Sequence, residues 1–264
     1  MSPLITLCLC VSPIWALSSS TPHSKDFIFK FKNPRIINGN PASEGQFPWQ
    51  AALFMANEWF TWFCGGSIIS EEWILTAGHC VKEALSAQIV TGSLNVHQGT
   101  ISNTTNFITH EGFDFDTVSN DIGLARLDPP LKFDENTAAI SLSTQELGPD
   151  VDITISGWGY TSDTSEDISE LLNYVELVTI TNDECQDTYG VIRPEMICAN
   201  SPSSQIRSSC SGDSGGPAVV NGTTNPVHVA IVSFVSTKGC EAGLPSGYTR
   251  TAYYRDWIKN NTGI

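Results

Sequence analysis

The sequence predicts an all-β protein. Short apolar-rich segments recur at fairly even spacing, turn-forming residues are abundant (21 Gly and 14 Pro in 264 residues), and a single stretch has helical periodicity. Even strand spacing with little helix argues for barrels or a sandwich, and periodicity alone does not choose between them. A chain of this length that is 41% hydrophobic has enough apolar surface for one large core.

Residues 1–17 are apolar around Leu4, Ile5, Leu7, Leu9, Val11, Ile14 and Trp15, and Ala16-Leu17-Ser18 has the small-x-small form of a signal-peptidase site. Residues 1–18 are read as a signal peptide, which implies secretion. Pro3 and Pro13 interrupt the stretch, which is short for a membrane span, so no membrane partner is expected. Residues 19–35 alternate Phe27, Phe29 and Phe31 with Lys30 and Lys32 and end at Arg35, a pattern read as a propeptide. Strands are expected at 51–55, 67–69, 73–76, 88–91, 122–127, 152–156, 172–180 and 227–235. Only the end reads as a helix, where Tyr254, Trp257 and Ile258 form one apolar stripe at i, i+3, i+4 suited to docking on a barrel.

The formal net charge is −15. Four of the 13 basic residues and one of the 28 acidic residues precede Ile36, which leaves 9 against 27, or −18, for the remainder. No run of Lys or Arg offers a footprint for nucleic acid. Of eight cysteines, Cys8 and Cys10 fall in the signal, leaving Cys64, Cys80, Cys185, Cys198, Cys210 and Cys240. An even six suits an oxidising compartment, spacing leaves about 15 pairings open, and the lack of any Cys-x-x-Cys pair argues against zinc.

Three segments carry chemistry: Thr76-Ala77-Gly78-His79-Cys80, Asn120-Asp121-Ile122 and Gly212-Asp213-Ser214-Gly215-Gly216-Pro217. Singly, each has a plain structural explanation. Together, in the order His, Asp, Ser, they exclude the orders used by α/β-hydrolases and subtilisins. From Ile36 to Thr262 the chain resembles the chymotrypsin-like (trypsin-fold) secreted serine proteases.

That resemblance implies two six-stranded antiparallel β-barrels, at about 36–140 and 141–264, with a C-terminal α-helix. It implies catalysis by Ser214 as nucleophile, His79 as general base and Asp121 as its orienting carboxylate, with an oxyanion hole from the N–H groups of Gly212 and Ser214. Arg35-Ile36-Ile37-Asn38-Gly39 resembles the family's activation junction. Cleavage after Arg35 by a trypsin-like protease would free the Ile36 amine to pair with Asp213. The implied disulfides are Cys64–Cys80, Cys185–Cys198 and Cys210–Cys240. Gly78 departs from the family's usual Ala and removes no chemical group.

By the same alignment the substrate pocket is formed by Ser208, Ser233, Val235 and Ser246. Ser208 stands where trypsin-like members place an aspartate, so an Arg or Lys side chain would be buried unpaired. Glu241, beside Cys240, is expected at the rim. A Ser/Val/Ser pocket resembles elastases and favours small aliphatic P1 residues; chymotrypsin-like specificity is the alternative. The run Gly239-Cys240-Glu241-Ala242-Gly243 resembles brachyurin collagenases of arthropods, which makes collagen a further candidate. A catalytically inactive homologue acting as a binding protein is the rival from another class. No cofactor or metal is expected, since the loop near residues 92–100 lacks the glutamates of calcium-binding trypsins. Expected partners are protein or peptide substrates, the activating protease and protein inhibitors, with the enzyme a monomer. Asn103, Asn221 and Asn260 head Asn-x-Thr sequons, and the acid-rich 163–170 stretch is expected to be a solvated loop.

Overall fold

The computed structural model describes residues 36–222 and 224–264. The expected signal peptide, the propeptide and Arg35 lie outside the described residues. The first half holds β1 (Asn40–Pro41), β2 (Gln50–Ala56), β3 (Thr61–Ile68), β4 (Trp73–Thr76), β5 (Ser86–Thr91), β6 (Thr100–Thr104), β7 (Asn106–Thr109) and β8 (Gly123–Arg126). The second holds β9 (Ser141–Leu142), β10 (Asp152–Gly157), β11 (Asn173–Ile180), β12 (Met196–Asn200), β13 (Pro217–Val220), β14 (Val227–Phe234) and β15 (Ser246–Arg250).

The first sheet runs β6-β5-β2-β3-β4-β8-β7. Its outer members β6 and β7 are one stretch of chain broken only at Thr105, so the sheet curls back on itself. In the second half β11 pairs with both β10 and β12, closing the six-strand ring β10-β13-β14-β15-β12-β11. Strand β11 shows why such segments form walls: Asn173, Val175, Leu177 and Thr179 are buried, while the residues between them are more exposed. Leu53, Ile74, Leu75, Ile89 and Leu124 fill the first core, and Ile153, Ile155, Val175, Leu177 and Ile197 the second. Phe47, Trp49 and Val90 of the first half meet Trp158, Leu172 and Val219 of the second in a shared apolar seam.

Glycines explain why β3 is longer than the segment its composition suggests. A Cβ at Gly66 would lie 2.7 Å from Ile74 Cγ2, and one at Gly65 would lie 2.9 Å from Gly216 Cα. A neighbouring backbone at Gly65 and packed side chains at Gly66 leave no room for a Cβ, so the apolar signal is missing from a genuine strand.

Two further helices correct the expectation that only the C-terminus is helical. Helix α1 (Gly78–Val81) is one turn, and α2 (Asn182–Tyr189) begins with a capping box in which Thr181 and Glu184 bond reciprocally. Only Cys185 of α2 is buried, so the helix lacks the apolar stripe that marks most helices in sequence. The terminal segment is a 3-10 turn at Ala252–Tyr254 followed by α3 (Arg255–Thr262). Tyr254 and Ile258 enter the core of the first barrel and Trp257 packs against it, so the end of the second half straps the first.

Candidate active site

The site forms where the two halves face each other. Strand β4 delivers the chain into α1, which carries His79. Gly78 sits tightly here: a Cβ would be 3.1 Å from both the N and O of Ile122 and 3.2 Å from Phe113. That approach gives the departure from Ala a steric meaning beyond backbone freedom.

Asp121 is fully buried just before β8. Its Oδ1 accepts the backbone N–H of His79 at 2.8 Å and its Oδ2 faces His79 Nδ1 at 2.8 Å. Placing the Nδ1 proton in that bond leaves Nε2 as the ring's free base. The second half completes the carboxylate's surroundings. Ser233 Oγ donates to Asp121 Oδ2 at 2.6 Å, and Thr249 Oγ1 donates to the Asp121 carbonyl at 2.9 Å. Ser233, expected in the pocket wall, therefore also anchors Asp121. The bond from Thr249 carries no motif and was not anticipated.

The loop bearing Ser214 leaves β-geometry at two glycines. Gly212 has φ +94° and Gly215 φ +80°; a Cβ on Gly215 would lie 2.1 Å from Thr76 Oγ1 and 2.6 Å from the Gly65 carbonyl. Gly65 N–H donates to the Ser214 carbonyl at 2.7 Å, and Gly215 N–H donates to that of Val232 at 2.8 Å, fixing the loop to both halves. Among the described residues, the N–H groups of Gly212 and Ser214 have no acceptor, whereas Asp213 N–H is held by the Cys210 carbonyl at 2.9 Å. Two free donors, one of them on the serine itself, suit an anionic oxygen.

Asp213 is also fully buried. Its carboxylate accepts Gly159 N–H at 2.8 Å and Cys210 N–H at 2.9 Å. Burial pushes its pKa up to about 7 against the opposing effect of those two bonds. Ile36 is completely buried, and Ile37 pairs with Ser208.

His79, Ser214, Gly212, Ser233 and Val235 line one cavity of about 400 Å³, and Phe63 and Ile168 also belong to its lining. Ser208 and Ser246, expected in the pocket, are buried and do not line this cavity; Ser208 Oγ is bonded to the Ser209 carbonyl at 2.8 Å and Ser246 Oγ to the Tyr248 hydroxyl at 2.7 Å. Glu241 lies outside the pocket, its Oε2 accepting the N–H of Asp163 at 2.8 Å. The disulfides are Cys64–Cys80, Cys185–Cys198 and Cys210–Cys240, the pairs implied by the resemblance. The groupings of potential metal ligands among the described residues, Cys64/His79/Cys80 and Asp163/Cys210/Cys240, depend on these oxidised sulfurs and so offer no thiolate. Asn103, Asn221 and Asn260 are all exposed.

The family profile described as Trypsin matches residues 36–258. The chain belongs to the trypsin family. It is a serine protease of the chymotrypsin-like type. It is 37% identical over 233 residues to Brachyurin of Leptuca pugilator, covering 87% of this chain and 99% of that protein. It is 39% identical over 246 residues to Collagenase of Hypoderma lineatum, covering 90% and 91% of the two chains. A solved HL collagenase structure matches with a TM-score of 0.78 at 38% identity, covering 87% of this protease and 99% of that chain.

Proposed function

We propose that this protease is a secreted endopeptidase made as a zymogen, in which Ser214, His79 and Asp121 form and hydrolyse an acyl-enzyme. One observation carries the reading: His79 Nδ1 lies 2.8 Å from the buried Asp121 carboxylate, and His79 shares its cavity with Ser214. Ser214 Oγ attacks the scissile carbonyl, and His79 Nε2 takes the serine proton and returns it to the leaving amine. Asp121 holds the tautomer and stabilises the imidazolium. The free N–H groups of Gly212 and Ser214 receive the developing oxyanion. Water then repeats the sequence to release the acid.

Activation follows from Asp213. A buried carboxyl with no cationic partner among the described residues is poorly solvated, which is why its pKa is raised. Cleavage after Arg35 by a trypsin-like protease creates an ammonium on Ile36, which pairs with Asp213 and holds the Gly212–Ser214 loop. No helix among the described residues is long and apolar enough to cross a membrane. Secretion rests on the N-terminal sequence and on the three disulfides. The sequons at Asn103, Asn221 and Asn260 are exposed and thus reachable by glycosylation. The enzyme works as a monomer, and protein inhibitors would compete for the same cleft.

Elastase-like specificity is supported by Val235 in the cavity wall and by Ser208 and Ser246 being uncharged, with their hydroxyls engaged by protein groups. Neither supplies a charge for an Arg or Lys side chain. A relative named Collagenase and a solved HL collagenase structure make collagen a second candidate substrate. The test is hydrolysis of peptides differing only in P1 (Ala, Val, Leu, Phe, Arg) by protein cleaved at Arg35, with Ser214→Ala as control. Preference for Ala or Val, lost about 10⁶-fold in the control, is expected; preference for Phe would refute the narrow pocket, and no turnover would leave an inactive homologue.

A further inference from the structure

Asp163 belongs to the acid-rich stretch expected to be a solvated loop, and it is exposed. Its carboxylate is nevertheless committed. Oδ1 accepts the N–H of Cys240 at 2.7 Å and Oδ2 accepts that of Glu241 at 3.1 Å. In return, Glu241 Oε2 accepts the N–H of Asp163 at 2.8 Å. The two residues are 78 positions apart, so each carboxylate secures the other's backbone across two separate loops. Anionic acceptors make such bonds stronger than neutral ones.

The backbone on the far side is shaped for this contact. Gly239 has φ +106°, and a Cβ there would fall 2.3 Å from Asp163 Oδ2. Only glycine fits both the conformation and the space. The 3-10 turn Cys240–Ala242 has no capping bond from its own N-cap residue, Gly239; the first N–H groups are capped by Asp163 instead.

The clasp closes a ring around the substrate pocket. The loop that ends at Asp163 starts at Gly159 and Tyr160, whose N–H groups donate to Asp213 Oδ1 at 2.8 Å and to the Ser211 carbonyl at 2.7 Å. Cys240 is joined by its disulfide to Cys210, whose N–H donates to Asp213 Oδ2. Three segments, 159–163, 210–213 and 239–241, are thus linked pairwise, and Asp163 supplies the link most distant from Ser214 in bonds. Tyr160, Cys210 and Val235 line the cavity, and all three pack with Cys240 in one apolar cluster.

We infer that Asp163 is a positioning residue for P1 recognition, holding the Gly239–Glu241 rim so that the Val235 wall keeps its shape. The inference rests on the proteolytic reading above. Its site is remote from the reacting atoms, so it acts on which side chain is accepted and leaves the nucleophile's own reactivity alone.

The experiment compares wild type, Asp163→Ala, Asp163→Asn and Gly239→Ala, all cleaved at Arg35. Two readouts are taken: kcat and KM on the P1 peptide series, and the rate at which a small organophosphorus fluoride, lacking any P1 side chain, labels Ser214. Asp163→Ala is expected to raise KM and lower kcat/KM for the best P1 peptide about 10- to 100-fold, the range for losing charged hydrogen bonds. The ratio between best and worst P1 residues should shrink, with labelling of Ser214 within about threefold of wild type. Asp163→Asn, which keeps one oxygen acceptor, should recover part of the discrimination, and it carries the test if the alanine variant does not fold. Gly239→Ala should reproduce the alanine phenotype, and the double variant should be no worse than either single one. An unchanged P1 ratio overturns the inference, as does labelling that falls in step with turnover, which would mean general loosening of the site. Absence of Ser214 labelling and turnover in wild type itself would instead reject the proteolytic reading.

Discussion

Asp121 and Asp213 are two carboxylates of equal burial, each with no measurable exposure, yet their surroundings differ in kind. Asp121 receives two N–H groups from His79 and a hydroxyl from Ser233, so both halves of the fold have already furnished its partners. Asp213 receives two backbone N–H groups, and burial raises its pKa to about 7. The contrast separates a site completed by folding from one that, in the proposed activation, is completed by a covalent cut.

The strongest way to break the comparison is at Asp121. Asp121→Asn should lower kcat about 10⁴-fold with KM little changed, because an amide NH2 in place of Oδ2 donates and accepts from neither His79 nor Ser233, which leaves the imidazole in the wrong tautomer. At Asp213 the expected loss is smaller and conditional. Asp213→Asn should abolish most of the rise in activity that follows cleavage at Arg35, costing about 10²- to 10³-fold through the oxyanion donors. The same variant in uncleaved protein should change turnover little. If both variants lost activity equally before and after cleavage, the distinction between the two carboxylates would disappear.

A third substitution separates both from specificity. Val235→Gly should shift preference toward Phe over Val at P1 by about 10- to 100-fold, without changing Ser214 labelling. The smallest effects are in the pH dependence of stability. The raised pKa of Asp213 means that the uncleaved protein loses stability as pH rises from about 4 toward 7, since the unfolded carboxyl ionises first. Buried His228 acts in the opposite sense: burial lowers its pKa to about 3, so stability present above pH 6.5 is lost as pH falls toward that value. The two slopes overlap, so denaturant titrations of wild type must be compared with Asp213→Asn and His228→Asn. Removing Asp213 should leave a curve falling only toward acid; removing His228, one falling only toward neutral pH.

How much of this was legible in the sequence depends on what each residue contributes. The expected catalytic residues and the disulfide pairs were legible through the family resemblance of their surrounding segments, and β11 through the difference between its two faces. Strand β3 was only partly legible, since Gly65 makes room for the backbone of Gly216 and Gly66 for the side chains of Ile74 and Leu53. Helix α2 had a readable start in Thr181 and Glu184 but no apolar stripe behind it. The bonds from Thr249 to Asp121 and from Asp163 to Cys240 join residues 128 and 77 positions apart, and ordinary polar side chains in strands and loops give no local sign of such partners. The serines of the expected pocket illustrate the converse. Residue type alone does not show that Ser208 bonds the Ser209 carbonyl, Ser233 the Asp121 carboxylate and Ser246 the Tyr248 hydroxyl; packing decides that.

The strap formed by α3 has a bearing on endurance. A proteolytic enzyme at working concentration is surrounded by copies capable of cutting it. Because Tyr254 and Ile258 lodge in the first barrel while the chain that carries them belongs to the second, the two halves are held by a buried contact as well as by the chain that connects them. That buried grip and the shared seam are ties that do not run through the connecting thread, so a nick there would be expected to leave the halves together.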